Sequence, residues 1–145
     1  MDRWNPWRTL RASPSVLLWF APLDGRRGRW ERRPDGRHVI LIEESLGRRA
    51  RREVLAHELV HVERGVGWPD ATAATMQAEE ERVWREALTR LAPPHEVAAF
   101  VRARASVGGV TLEDLAEEFD LSTGAAERLV GVLRARGLLS GRSSG

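Results

Sequence analysis

The stretch REVLAHELVHVERG, residues Arg52–Gly65, contains two histidines, His57 and His61, four positions apart. Its apolar residues recur at helical spacing, at Val54, Leu55, Leu59 and Val62. This period predicts an amphipathic helix that begins at a capping Ser45 and ends near Arg64. Side chains four positions apart lie one turn apart on the same helix face, so we expect both imidazoles on one side.

The residues His57-Glu58-Leu59-Val60-His61 have the spacing of a catalytic metal motif. Two imidazoles on one helix face can bind a single zinc ion. Glu58 is offset around the helix from His57, so its carboxylate can face a water at the metal and accept a proton from it. We predict His57 and His61 as zinc ligands and Glu58 as the catalytic base. The alternative is a pair of partly buried histidines satisfied by hydrogen bonds.

A catalytic zinc site needs a third protein ligand, and the chain contains no cysteine. The acidic run Glu79–Glu81 lies on the next predicted helix. Helical spacing puts Glu80 on an apolar face, where a carboxylate needs a partner such as a metal. That face comprises Met76, Val83, Trp84, Ala87 and Leu91. We predict Glu80 as the third ligand. Glu79 is the first alternative, and a solvated glutamate run paired with nearby arginines is the second.

Three short segments before the histidine helix are candidate β-strands: the first is rich in β-branched and aromatic residues, the second is a possible short strand, and the third is the clearest. They are Val16–Ala21, Trp30–Arg33 and His38–Ile42. Turn signals separate them, so we predict a small antiparallel sheet. Residues 1–14 are expected to form an irregular lead-in. A short sheet followed by several helices indicates a small α+β fold.

Two further helices are predicted after the histidine helix. One begins at Asp70 or Thr72 and ends near Leu91, and the next runs from about His95 to Ala105. A double proline separates them, because proline removes a backbone donor and blocks continuation of a helix. A pair of glycines then separates the second of these helices from the C-terminal segment.

Residues Thr111–Gly137 are typical of two helices around a tight turn, with Thr111 and Ser122 as the caps. The positions that must pack in a helix-turn-helix are apolar: Leu115, Ala116, Phe119, Leu121, Ala126 and Leu129. This pattern leaves a DNA-binding regulator as an alternative function. Its charges disfavour nucleic-acid binding, because five acidic residues crowd the first helix and only three arginines follow on the second.

The composition sets further limits. All 23 basic residues are arginine, and the net charge is +2. Residues 1–52 hold 13 Arg and 6 acidic residues, whereas residues 53–145 hold 10 Arg and 15 acidic residues. The N-terminal part could attract an acidic partner, or it could be a solvated arginine-rich surface.

The absence of cysteine excludes disulfides and fits a reducing compartment. No stretch approaches the length of a membrane span, so we expect a cytoplasmic protein without membrane contact.

The segments REVLAHELVHVERG and QAEEERVWREALTRLAPP resemble the ImmA/IrrE-type metallopeptidases over about residues 36–136. The resemblance implies a small zincin fold with His57 and His61 as zinc ligands, Glu58 as the base and a glutamate ligand on the following helix. The second family motif reads Glu, Ala, Asn, any residue, aromatic. Here Glu80 and Trp84 fit that motif, and the residues at the Ala and Asn positions depart from it.

The resemblance also implies a zinc-dependent peptidase that cuts a specific protein, such as a DNA-binding transcriptional repressor of a mobile element or stress response. We expect a zincin-like core at residues 1–92, a helical segment packed on it at 93–139, and a disordered tail at 140–145. A metal-binding but inactive interaction protein is the remaining alternative.

Other groups in the chain could assist peptide hydrolysis. The chain has no tyrosine, so an oxyanion donor would have to be His95, His38 or an arginine. An exposed first-turn histidine is the simpler interpretation of His95, which we do not include among the catalytic residues. Glu53 and Glu63 flank the motif and could orient a histidine, although pairing with an arginine is the favoured interpretation of Glu63.

Overall fold

The computed structural model describes residues 3–65 and 72–139. As predicted, the described chain has a small α+β fold with one three-stranded sheet and six helices. The strands are β1 (Val16–Ala21), β2 (Gly28–Arg32) and β3 (His38–Glu43). The helices are α1 (Pro6–Arg11), α2 (Arg48–Arg64), α3 (Ala73–Leu91), α4 (Pro94–Arg104), α5 (Leu112–Phe119) and α6 (Thr123–Ala135), with a 3-10 turn at Ala105–Val107.

The sheet has the order β1-β3-β2, so β3 is central and the other two strands are edges. β2 is antiparallel to β3 after a tight turn in which Gly36 has a φ of +85°. β1 is parallel to β3, with Val16 opposite His38. The prediction of an antiparallel sheet is therefore wrong for β1. After β1, the chain crosses to the far edge of the sheet, where it forms β2 in the opposite direction. It then reverses again and forms β3 between β1 and β2, so that β3 runs parallel to β1.

Helix α1 lies within the segment that was predicted to be an irregular lead-in. Asn5 caps it by accepting a hydrogen bond from the Trp7 backbone N–H at 2.9 Å, and Pro6 occupies the first turn. Proline is well tolerated there because its missing donor would lack a helical partner anyway. Trp7 and Leu10 pack against the core between the sheet and α2. The prediction was wrong because six residues are too few to display a helical period.

Helix α2 lies between the sheet and the other helices. Its residues from Glu53 to His61 are all buried. Val54, Leu55 and Leu59 pack on the sheet, and Ala56 and Val60 pack on the helices. The helix begins at Arg48 after Gly47, not at the predicted Ser45. The Ser45 backbone N–H instead donates to the Glu43 carboxylate at 2.8 Å within the preceding turn.

Helices α3 to α6 share one apolar core with α2. Thr72 caps α3, which is one of the two starts predicted for that helix; the other, Asp70, lies outside the described residues. Thr111 and Ser122 cap α5 and α6 as predicted. All six packing positions predicted for this helix pair are buried. The tail predicted to be disordered, residues 140–145, lies outside the described residues.

Arginines at the start of α2 bind the turn between α5 and α6. Arg48 makes two hydrogen bonds of 2.6 Å to the Asp120 carboxylate, and Arg49 adds a third at 3.1 Å. Arg52 donates to the backbone carbonyl oxygens of Phe119 and Asp120 at 3.3 and 2.8 Å. Part of the N-terminal excess of positive charge is thus neutralised within the chain. None of the helices in the described part of the chain is both long and apolar enough to cross a membrane.

Candidate metal centre

Helix α2 holds the two motif histidines in a buried position on the same side. His57 and His61 are 6% and 8% exposed, and their ring centroids are 4.6 Å apart with the rings nearly perpendicular. They occupy consecutive turns because they are four residues apart, as the sequence predicted. Burial of two imidazoles side by side leaves little water to satisfy their ring nitrogens, so protein groups must do so.

Glu80 of α3 supplies those partners. One carboxylate oxygen contacts His57 Nε2, and the other lies 3.0 Å from His61 Nε2. The possible donor atoms of these three residues all lie within 4.8 Å of one another. The structure therefore brings together the three residues that we predicted as metal ligands, although it leaves their ligand role as a prediction.

Glu79 is engaged elsewhere. The Arg64 guanidinium binds its carboxylate through Nε and, at 2.8 Å, through Nη2. This hydrogen bonding lowers the pKa of Glu79. Glu79 and not Glu80 lies on the buried side of α3 with Val83 and Ala87, while Glu80 shares the site-facing side with Trp84. The apolar face from which Glu80 was chosen therefore combined two neighbouring faces of α3. One is the buried face with Val83 and Ala87, and the other is the site-facing side with Trp84.

Glu58 is buried at 4% exposure. Its Oε1 lies 3.1 Å from His57 Nδ1, on the opposite side of the ring from Glu80. The backbone of β2 passes close to it, since a Cβ built on Gly28 would lie 3.0 Å from Glu58 Oε1 and overlap Val54. Glycine at position 28 thus permits the edge strand to approach the motif helix.

A cavity of about 230 Å³ opens between β2 and the two helices. It is lined by Arg26, Gly28, Arg29, Trp30, His57, Glu58, His61 and Glu80. The histidines, the carboxylate between them and Glu58 therefore all face a space that a small ligand or a short piece of chain can enter. Sequence reasoning had not associated the β2 residues with the site, because strand pairing brings them there from a distance of about thirty positions in the chain.

Two tryptophans hold the histidine rings. Trp30 stacks between His38 and His61, with ring centroids 5.9 Å apart in each pair. Trp84 contacts His57 with ring centroids 4.2 Å apart. Trp84 was noted from its fit to the second motif, but Trp30 was missed as a site residue. The sequence indicated only that Trp30 lies in a strand. It did not indicate against which helix that strand packs, so Trp30 could not be assigned to the site.

The family described as the IrrE N-terminal-like domain, Peptidase_M78, matches residues 12–130. The chain belongs to this family. No curated protein matches the chain. Membership in a metallopeptidase family agrees with the cluster of two histidines and one glutamate that could hold a metal ion, and it confirms the resemblance predicted from the sequence.

The electrostatics of the site in this IrrE N-terminal-like chain favour a charged, mutually bonded cluster. Burial lowers the pKa of His57, but hydrogen bonds with Glu58 and Glu80 outweigh it and leave that pKa above its ordinary value. Burial likewise raises the pKa of Glu80, and its bonds with His57 and His61 reverse this and hold it well below the usual range. Glu80 is therefore ionised and can serve as an anionic ligand.

The two other histidines considered from the sequence, His38 and His95, do not line the cavity of the metal centre. His95 lines a separate cavity with Arg3 and Trp4, and His38 is shielded from the site by Trp30. Glu63 pairs with Arg90 at 2.6 Å, as favoured from the sequence.

Glu53 does not contact either histidine ring in the part of the chain that the structure describes. It accepts hydrogen bonds from the Ser122 backbone N–H at 2.5 Å and from the Ser122 hydroxyl at 2.9 Å. The idea that Glu53 orients a histidine is therefore wrong. Its buried carboxylate instead completes the N-terminal cap of α6 and fastens that helix to α2.

Proposed function

We propose that this chain is a zinc-dependent endopeptidase that hydrolyses a peptide bond in a specific cytoplasmic protein. The single observation that carries the proposal is the convergence of His57 Nε2, His61 Nε2 and the Glu80 carboxylate on one point beside an open cavity. Two imidazoles and one carboxylate are a ligand set found at catalytic zinc sites, which keep a further position open.

The donor set fits zinc on chemical grounds. Neutral imidazole and carboxylate are both good zinc ligands, and His57, His61 and Glu80 each present one. Glu80 also compensates the charge of a dication, because its pKa lies far below neutrality. When bound, zinc would polarise the substrate carbonyl group and acidify a water molecule. Trp30 and Trp84 would hold the two imidazole rings in position, since Trp30 stacks on His61 and the tilted Trp84 ring contacts His57.

Glu58 would act as the proton carrier. Its carboxylate lies in the same cavity as the proposed ligands and is turned away from Glu80 by the intervening His57 ring. A general base must lie within hydrogen-bond reach of the proton that it accepts. From its position, Glu58 would accept a proton from the attacking water and return it to the amine that leaves.

The edge strand β2 would align the substrate. It is an edge strand of the sheet that the described residues form, and its residues from Gly28 to Trp30 line the cavity. An extended peptide can pair with such an edge through backbone hydrogen bonds. Arg26 and Arg29 line the same cavity and are better situated than His38 or His95 to stabilise a developing oxyanion.

The proposed substrate is a protein, with a DNA-binding repressor suggested by the family resemblance. Direct nucleic-acid binding by the chain itself is disfavoured. The turn between α5 and α6 is held by Arg48, Arg49 and Arg52, and the capping residue of α6, Ser122, is bound by Glu53. A recognition helix would need that end free to reach bases in the major groove.

The test is cleavage of an intact proteome. Zinc-loaded wild type and Glu58→Gln are each incubated with a cytoplasmic extract from the source cell, and new protein N-termini are identified by mass spectrometry. We expect wild type to create a small set of new N-termini, and Glu58→Gln to lose them by about 10²–10⁴-fold in rate while keeping its metal. Undiminished cleavage by Glu58→Gln would contradict the role of Glu58, and cleavage by neither protein would contradict the peptidase.

A further inference from the structure

A groove of about 630 Å³ lies between α3 and α6. Its α3 wall includes Glu80 and Trp84, and its α6 wall includes Arg128, Gly131 and Val132. Glu80 also lines the cavity of the metal centre, and the Trp84 ring contacts His57 with ring centroids 4.2 Å apart. The groove therefore borders the metal centre through Glu80 and Trp84, so a ligand in the groove would lie next to a group bound at the metal centre.

Gly131 lies inside α6, whose bounds are Thr123–Ala135. Glycine is the least favourable residue in a helix interior apart from proline. A Cβ built on Gly131 would meet nothing within 4 Å, so packing within the described chain does not require glycine there. The missing side chain instead widens the groove. Glycine in a regular element can mark a place where a ligand or another backbone comes close.

The lining defines the class of ligand. Trp84 and Val132 provide an apolar surface, and the guanidinium of Arg128 lies 4.7 Å from the Trp84 ring. The α3 wall extends from Gln77 to Arg85. The eight helical rises between these two residues span about 12 Å, which matches about three to four residues of extended chain. This length and lining suit a short stretch of polypeptide with an apolar side chain.

We propose that this groove binds the substrate polypeptide beside the bond to be cut and takes one of its apolar side chains against Trp84 and Val132, next to Gly131. The proposal rests on the proposed peptidase function, because the metal centre fixes where the bond lies. Gly131 is then a specificity-determining residue, since its missing side chain gives the substrate room. Arg128 holds the Trp84 ring on the α6 side of the groove.

Binding of zinc chelators with different side chains tests the proposal without a known substrate. Acetohydroxamate reports the metal alone, and peptidyl hydroxamates with Gly, Leu or Phe at the adjacent position report the groove. Calorimetry on zinc-loaded wild type is expected to give at least about tenfold tighter binding of the Leu or Phe compound than of the Gly compound. Gly131→Leu should remove this preference and leave acetohydroxamate affinity unchanged.

Glu127→Leu is the matched control, because it adds the same side chain to an exposed position of α6 that does not line the groove. It should keep the preference. Gly131→Ala should raise the melting temperature by about 2–4 °C, as expected for removal of a helix-interior glycine in a chain of this size.

Three outcomes would overturn the proposal. One is equal binding of the Gly and Leu compounds to a wild type that binds acetohydroxamate, and the second is an unchanged preference in Gly131→Leu. A dimer of wild type that Gly131→Leu abolishes would be the third, because it would identify a second copy as the occupant. Failure of acetohydroxamate to bind zinc-loaded wild type would instead refute the metal centre, and the groove proposal would fall with it.

Discussion

Helix α2 carries charged residues at both ends, and the two ends differ in how those charges are satisfied. At its start, Arg48, Arg49 and Arg52 are matched by the Asp120 carboxylate and by backbone carbonyl oxygens of the α5–α6 turn. Further along, His57 and His61 converge with Glu80 beside a cavity. At the start of α2, every arginine named here has an acceptor on the α5–α6 turn, so these contacts stabilise the fold. At the histidine end, ligand atoms converge on one point next to a cavity, so they can bind a ligand.

The largest expected effect is that of His61→Ala, which should abolish metal binding at one end of α2 and leave the contacts at the other end intact. His61→Ala removes one proposed ligand from the convergent end, so we expect loss of bound metal and of peptidase activity. The arginine contacts with Asp120 do not involve His61, and the α5–α6 turn should stay docked. Metal content by mass spectrometry and circular dichroism of the same sample check both statements. A folded variant that retains its metal would contradict the ligand role of His61.

The next effect concerns Glu53, which belongs to the structural end. Glu53→Ala leaves the Ser122 backbone N–H and hydroxyl without their buried acceptor. We expect the free energy of unfolding to fall by about 2 kcal/mol, measured by urea denaturation. Glu63→Ala is the control, because the pair that Glu63 forms with Arg90 is partly exposed to solvent. It should lower the stability by less than about 1 kcal/mol, and equal effects of the two variants would contradict the capping role of Glu53.

Asp120→Ala should have a smaller effect. The Asp120 side chain is 36% exposed, so solvent screens its bonds to Arg48 and Arg49. We expect a loss of about 1 kcal/mol in the free energy of unfolding, with metal content unchanged. Thermal unfolding and metal analysis of the variant check the two parts. Loss of metal from a folded Asp120→Ala would show that the two ends of α2 are not independent.

The smallest effect is a dependence of stability on pH. Hydrogen bonds from Arg48 lower the pKa of Asp120 below its ordinary value of 3.8. A depressed pKa in the folded state gives stability that is present above pH 3.8 and is lost as the pH falls through the lower, folded value. Urea denaturation at pH 6 and pH 3 should therefore differ less for Asp120→Asn than for wild type. Equal pH dependence of the two proteins would contradict this contribution.

The motif helix and the shared side of its two histidines were predictable from sequence, because both depend on the spacing of residues within one short segment. Four-residue spacing put His57 and His61 on one face, and the structure has them there. The caps Thr111 and Ser122 were likewise predicted, and Thr72 was one of the two starts predicted for α3, because each lies next to the helix that it caps. The predicted start of α2 at Ser45 was wrong, because the Ser45 backbone N–H donates to the Glu43 carboxylate in the turn before the helix.

The parts that were missed depend on contacts between distant segments. Nothing local in Val16–Ala21 specifies that β1 lies parallel to β3. Trp30 became a site residue only because the β2–β3 hairpin folds over α2. Glu80 was chosen correctly over Glu79 as the residue beside the histidines, but from a face that did not reveal that Arg64 binds Glu79. Helical spacing alone could not resolve two adjacent faces of one helix.

The role of Glu80 as the third ligand is the central claim, and metal stoichiometry tests it most directly. Wild type, Glu80→Ala and Glu79→Ala are purified with zinc, dialysed alike and analysed for bound metal, with circular dichroism to verify that each is folded. We expect about one zinc per chain in wild type and in Glu79→Ala, and far less in Glu80→Ala. A folded Glu80→Ala that keeps its zinc, or a wild type that binds none, would contradict the account.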